Sequence, residues 1–137
     1  MSSLTTFIDT SALVALSVQA DAIHDAAMSV MDNLLRQGAP LATSDLVITE
    51  FLNHSSRGPR RAAAATAARR LYSGGAVEVF EVDRATILAA LDLYESRPDQ
   101  SWSLVDCSSM LICKQRRIKR VFTHDRHFKQ AGFQILL

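Results

Sequence analysis

The chain has 137 residues, 48% of them apolar, which suits a packed core without disulfide or metal staples and argues against disorder. Fifteen Lys and Arg stand against 14 Asp and Glu, so net charge alone points to no polyanionic partner, and any such role has to come from local clustering. With no apolar run of membrane-spanning length and no basic opening stretch, a cytoplasmic protein that uses no membrane is expected.

Strand and helix signals alternate along the chain. Residues 4–9 read as a strand, after which Ser11 can cap a helix that starts at Ala12. Residues 21–36 carry helical spacing through Ile23, Ala26, Ala27, Val30, Met31, Leu34 and Leu35, and Gly38 stops them. A short strand is expected over 40–43 and a helix from 45 to about 56. Gly58-Pro59 breaks the chain, and Pro59 opens a helix reaching Tyr72. Gly74-Gly75 marks a turn, followed by a strand at 77–82 and a helix at 84–96. The last third repeats the pattern: helix 104–115, strand 120–123, short helix 126–130 and strand 133–137. Such alternation predicts one α/β domain over residues 1–137, a mostly parallel sheet covered by helices on both sides. Cys107 and Cys113 form no CxxC pair and fall on different faces of one helix, so reduced thiols are expected.

Four acids sit where a folded chain seldom places them. Asp9 ends the apolar run from Leu4 to Ile8, and Asp125 follows Val121-Phe122. Glu50 lies between Leu46 and Val47 on a helical wheel, at the rim of the apolar face, while Asp106 falls between Met110 and Cys113. Carboxylates near a core are costly unless paired or bound to a cation. Ligands in open α/β sheets gather outside the carboxyl ends of the strands. Asp9 and Asp125 follow strands there, and Glu50 and Asp106, expected near the starts of helices, can face the same edge. Mg²⁺ and Mn²⁺ favour such oxygen donors, and no His or Cys cluster competes. A metal-dependent hydrolase is one reading of this pattern.

Each acid also has a plainer use. Asp9 and Asp125 can each cap the helix that follows. Asp106 completes a Ser103-x-x-Asp106 capping box, and Glu50 can pair with His54 one turn on. Any one acid is explained as well that way, but four together are not.

The blocks Phe7-Ile8-Asp9-Thr10-Ser11-Ala12-Leu13, Ser44-Asp45-Leu46-Val47-Ile48-Thr49-Glu50, Trp102-Ser103-Leu104-Val105-Asp106-Cys107-Ser108 and Phe122-Thr123-His124-Asp125-Arg126-His127-Phe128 resemble PIN-domain proteins, many of them VapC-like toxin ribonucleases. The resemblance spans nearly the whole chain, in order. It implies an α/β/α sandwich and an endoribonuclease that uses Mg²⁺ or Mn²⁺ to hydrolyse RNA to 5′-phosphate and 3′-hydroxyl ends. Asp9, Glu50, Asp106 and Asp125 match the family's four catalytic, metal-binding acids, and Ser11 and Thr123 match polar supporting positions. Val105 stands where the subgroup often has Thr, and Gln100 where it often has Lys. An antitoxin partner in a type II toxin–antitoxin pair and a homodimer are further implications of the resemblance.

Two basic clusters bear on how a nucleic acid would be held. Arg57, Arg60 and Arg61 can share a face, with Arg69 and Arg70 further round; Lys114, Arg116, Arg117, Lys119 and Arg120 form the second. Either could contact phosphates, although an ordinary solvated surface is the preferred reading of the first. His124 and His127 read as flanks of the Asp125 turn, and Trp102 as a core or loop anchor. The alternatives are a non-catalytic RNA- or protein-binding module of the same fold, and a phosphotransfer domain with Asp9 as nucleophile. The second lacks the aspartate expected two positions after Asp9, where Ser11 stands.

Overall fold

The computed structural model describes residues 4–137. Its elements run β1 (Thr6–Ile8), α1 (Thr10–Ser17), α2 (His24–Gln37), β2 (Leu41–Ser44), α3 (Asp45–His54), α4 (Arg60–Ser73), β3 (Val77–Phe80), α5 (Arg84–Ser96), α6 (Leu104–Arg116), β4 (Arg120–Phe122), α7 (Arg126–Gln130) and β5 (Gln134–Ile135). Every strand pairing is parallel and the sheet order is β3-β2-β1-β4-β5. The chain therefore steps outward from β1 to β3, then returns to build β4 and β5 on the other side of β1. Right-handed crossovers send the helices of the two halves to opposite faces, giving the expected three layers.

The central strand β1 is buried at all of its residues, as befits a parallel strand covered on both faces. Phe7 and Ile8 pack with Phe51, Met110, Phe122 and Phe128, all nearly inaccessible. Each such side chain contributes roughly 1.5–3 kcal/mol relative to exposure. Cys107 and Cys113 are buried, free thiols. No helix among the described residues is long and apolar enough to cross a membrane.

Local polar chemistry explains where the elements begin. Asp83 accepts from the Thr86 amide at 2.9 Å and opens α5 at the expected residue. Gly38, at φ 63°, ends α2 in the left-handed conformation that glycine tolerates best. That helix starts at His24 rather than Asp21, because the Asp21 carboxylate takes the Ile23 amide at 3.0 Å and offers the backbone a turn instead. Ser11 is not a helix cap: α1 begins at Thr10, with Asp9 in the cap position but making no capping bond. Ser44 both ends β2 and caps α3, so no loop intervenes, and Glu50 sits in mid-helix instead of near the start.

Candidate metal centre

The strand order reverses between β1 and β4, where the connections leave to opposite sides, and this opens a crevice at their carboxyl ends. The Asp9 amide donates to the Phe122 carbonyl at 3.0 Å, which locks the two strand ends side by side. Asp9 is only 3% exposed. Its Oδ2 accepts from the Thr123 hydroxyl at 2.9 Å, whereas its buried Oδ1 has no partner. Burial drives the Asp9 pKa up to about 7; the Thr123 hydroxyl bond and the nearby Thr10 backbone oppose the rise, and the Asp106 and Glu50 charges add to it.

Thr123 is the hub on this side. With Asp9 ionised, the Thr123 proton goes to the carboxylate, leaving its oxygen to accept from the Asp125 amide at 2.9 Å and from the Ser11 hydroxyl at 2.9 Å. Ser11 in turn accepts from the His124 amide at 3.0 Å. One buried hydroxyl thus ties the ends of β1 and β4 to the turn that presents Asp125.

The opposite wall comes from α6 and α7. Asp106 completes the capping box, its Oδ2 accepting from the Ser103 amide at 3.0 Å. The same oxygen lies 2.8 Å from Nδ1 of His127, which is 3.2 Å from Oδ1 of Asp125. A nitrogen between two carboxylate oxygens carries the proton. The other ring nitrogen is 3.3 Å from the Ser101 hydroxyl. Asp125 caps α7 by accepting from the His127 amide at 2.9 Å. The capping uses foreseen for Asp106 and Asp125 are therefore real, and the same caps aim both carboxylates at the cleft.

Asp9, Glu50, Asp106 and Asp125 all line one cleft of about 710 Å³, with no Lys or Arg among its lining residues. Asp106, Asp125 and His127 offer donor atoms within 4.8 Å of one another, a group that Asp9 and Glu50 do not join. Among the described residues no ion pair links Glu50 to His54. The concentration of carboxylate oxygens and the unpartnered Oδ1 of Asp9 fit a hard divalent cation such as Mg²⁺ or Mn²⁺.

His127 is the residue that sequence reasoning undervalued. Its signal is the Asp125-x-His127 spacing at a helix start: the amide that satisfies the cap belongs to the same residue whose ring turns back over the cap. Trp102 is a buried anchor, donating to Oε1 of Gln130 at 3.3 Å with the Arg97 guanidinium 4.9 Å from its ring centre.

The sequence model of the PIN domain matches residues 6–134, and the chain belongs to the PIN domain family. Its structure is similar to that of VapC20 from Mycobacterium tuberculosis, a sarcin–ricin loop-cleaving toxin, with 26% identity, a TM-score of 0.81 and coverage of 93% of this chain and 95% of that one. The DNA-bound VapBC structure from Salmonella typhimurium (12% identity, TM-score 0.66) and FitAcB from Neisseria gonorrhoeae (16%, 0.65) share the fold, each comparison covering 96% of both chains. No curated protein sequence matches the chain at a significant level.

Proposed function

We propose that this protein is a Mg²⁺- or Mn²⁺-dependent endoribonuclease acting in the cytoplasm as the toxin of a type II toxin–antitoxin pair. The observation that carries the reading is Asp9: a buried carboxylate with one oxygen unpartnered, on a cleft that also holds Glu50, Asp106 and Asp125. Membership of the PIN family and likeness to a toxin that cleaves the sarcin–ricin loop support the choice of RNA. The VapBC likeness supports an antitoxin partner, and a homodimer is part of the same proposal.

Asp9 and Asp106 are the central metal ligands, with Glu50 and Asp125 completing the site. A divalent cation bound there supplies charge neutralisation at the scissile phosphate and acidifies water for attack on phosphorus. Thr123 holds Asp9 by its Oδ2 and leaves Oδ1 available, and Ser11 fixes the direction of the Thr123 hydroxyl. His127 keeps Asp106 and Asp125 close together despite their like charge.

Purified protein is expected to cut RNA in the presence of Mg²⁺ or Mn²⁺ and to stop on addition of a chelator. Asp9→Asn and Asp106→Asn should each abolish cleavage with the fold retained, since asparagine preserves the hydrogen-bond acceptor in both places. Undiminished cleavage in both variants would reject the site. Saturable, metal-independent RNA binding without any cleavage would instead favour a non-catalytic binding module.

A further inference from the structure

Beside the acid cleft lies a second cavity of about 370 Å³, in the connection between α3 and α4, and His54 lines both. Asn53, Ser56, Arg57, Pro59 and Arg60 form its other walls. Gly58, at φ 64°, reverses the chain between the two arginines so that they border one space.

Neither arginine is needed to finish α3. The Ser55 amide donates to the carbonyls of Phe51 and Leu52, the Ser56 hydroxyl to those of Leu52 and Asn53, and Nη1 of Arg61 to that of Ser56. Arg57 and Arg60 are exposed, and among the described residues no hydrogen bond or ion pair engages either guanidinium. Local sequence offers no neutralisation, because five arginines and no Asp or Glu lie between Glu50 and Glu78. Two solvated arginines elsewhere pair with acids, Arg36 with Asp32 and Arg97 with Asp99, both at 2.9 Å; the remaining arginines make no ion pair among the described residues, and what sets Arg57 and Arg60 apart is their place beside the acid cleft.

An unpaired double guanidinium next to a cleft lined by five carboxylates, Asp21 among them, solves a physical problem. The acids repel a polyanion, so the strand has to be held by cations just outside them. We propose that Arg57 and Arg60 form a phosphate-binding subsite for the RNA strand whose scissile bond lies in the acid cleft; this inference rests on the nuclease reading above. Guanidinium forks bind phosphate oxygens directly, and with no Phe, Tyr or Trp in the cavity the contact the two arginines make is to backbone and indifferent to base. The other basic cavity, about 690 Å³ and lined by Lys114, Arg117 and Lys119, lies where α6 ends and β4 and β5 begin. It borders the amino edge of the sheet and shares no residue with the acid cleft, so it serves as the control surface.

The test compares Arg57→Ala/Arg60→Ala with Lys114→Ala/Lys119→Ala in the full chain. Cleavage of unstructured RNA about 20 nucleotides long is followed with Mn²⁺ present, and binding of the same RNA to each pair in an Asp9→Asn background is followed by anisotropy against salt. The arginine pair is expected to raise KM about tenfold with kcat nearly unchanged, and to flatten the log–log salt dependence of binding by about 1.4, the share of two phosphates. Unrelated RNA sequences should suffer equally, Arg57→Lys/Arg60→Lys should restore the slope, and the lysine pair should change neither quantity. Cleavage by the unaltered protein with KM and slope untouched in the arginine pair, or an equal loss in the lysine pair, would overturn the subsite alone. Absence of metal-dependent cleavage by the unaltered protein would remove the nuclease reading and the subsite with it.

Discussion

Asp9 and Asp106 are almost equally buried, at 3% and 6% exposure, yet their surroundings differ. Asp106 has a backbone amide and an imidazole on one oxygen, supplied by its own helix cap and by α7. Asp9 has one hydroxyl on one oxygen and nothing on the other. Similar burial therefore goes with different hydrogen bonding: two donors reach Asp106, one reaches Asp9, and a fully buried Asp9 oxygen is left without any. The α6–α7 wall is held in place by protein groups, and the β1 wall is the one that gains most from a cation.

Several measurements would sharpen or break this contrast. The largest effect is expected on activity, where Asp9→Asn and Asp106→Asn should each cost about 10³-fold or more, because several kcal/mol of transition-state stabilisation depend on the site. Retained cleavage in one variant would remove that wall from the active centre.

The next effect separates the walls by stability. The folded-state pKa of Asp9 lies above its unfolded value of 3.8, so its contribution is full below about 3.8 and is lost as pH rises through about 7. Metal-free protein should lose about 4 kcal/mol over that window, and Asp9→Asn should remove this part of the slope while making the metal-free protein more stable at pH 8. Denaturant melts across pH check this; an unchanged slope in Asp9→Asn would show that the buried oxygen is not the source.

Metal binding should reverse the penalty. Mn²⁺ at a hundredfold excess over its Kd should stabilise the protein by about 2.7 kcal/mol in thermal melts, with the gain lost on chelation and absent in Asp9→Asn. Thr123→Val should cost about 2 kcal/mol, since the Asp125 amide and the Ser11 hydroxyl lose their shared partner. The smallest effect is expected at His127. His127→Ala should weaken Mn²⁺ binding about tenfold by titration calorimetry, through loss of the group that holds Asp106 and Asp125 together. No change in affinity would make the ring a bystander.

Much of the architecture was legible from local chemistry. The bounds of α5 and α7 follow from Asp83 and Asp125, the end of α2 from Gly38, and the start of α6 from the Ser103 capping box. These signals act over three or four residues, which is why a linear reading finds them. The parallel sheet follows from alternation of strand and helix, and its carboxyl edge is the place where Asp9 and Asp125 had to appear. Local reading erred where two uses of one side chain competed, as when Ser11 looked like a cap but bonds Thr123 instead.

The sequence by itself determined the element order, the caps of α6 and α7 and the candidate acids, because periodicity and capping are encoded between near neighbours. Only the tertiary structure decided that Thr123 meets Asp9 across 114 positions, that His127 closes over Asp106, that one oxygen of Asp9 is left without a donor, and that Arg57 and Arg60 border the cavity next door. Those relations depend on which strand ends lie side by side and on how many donors reach each buried oxygen, and both are set by packing between residues far apart in the chain.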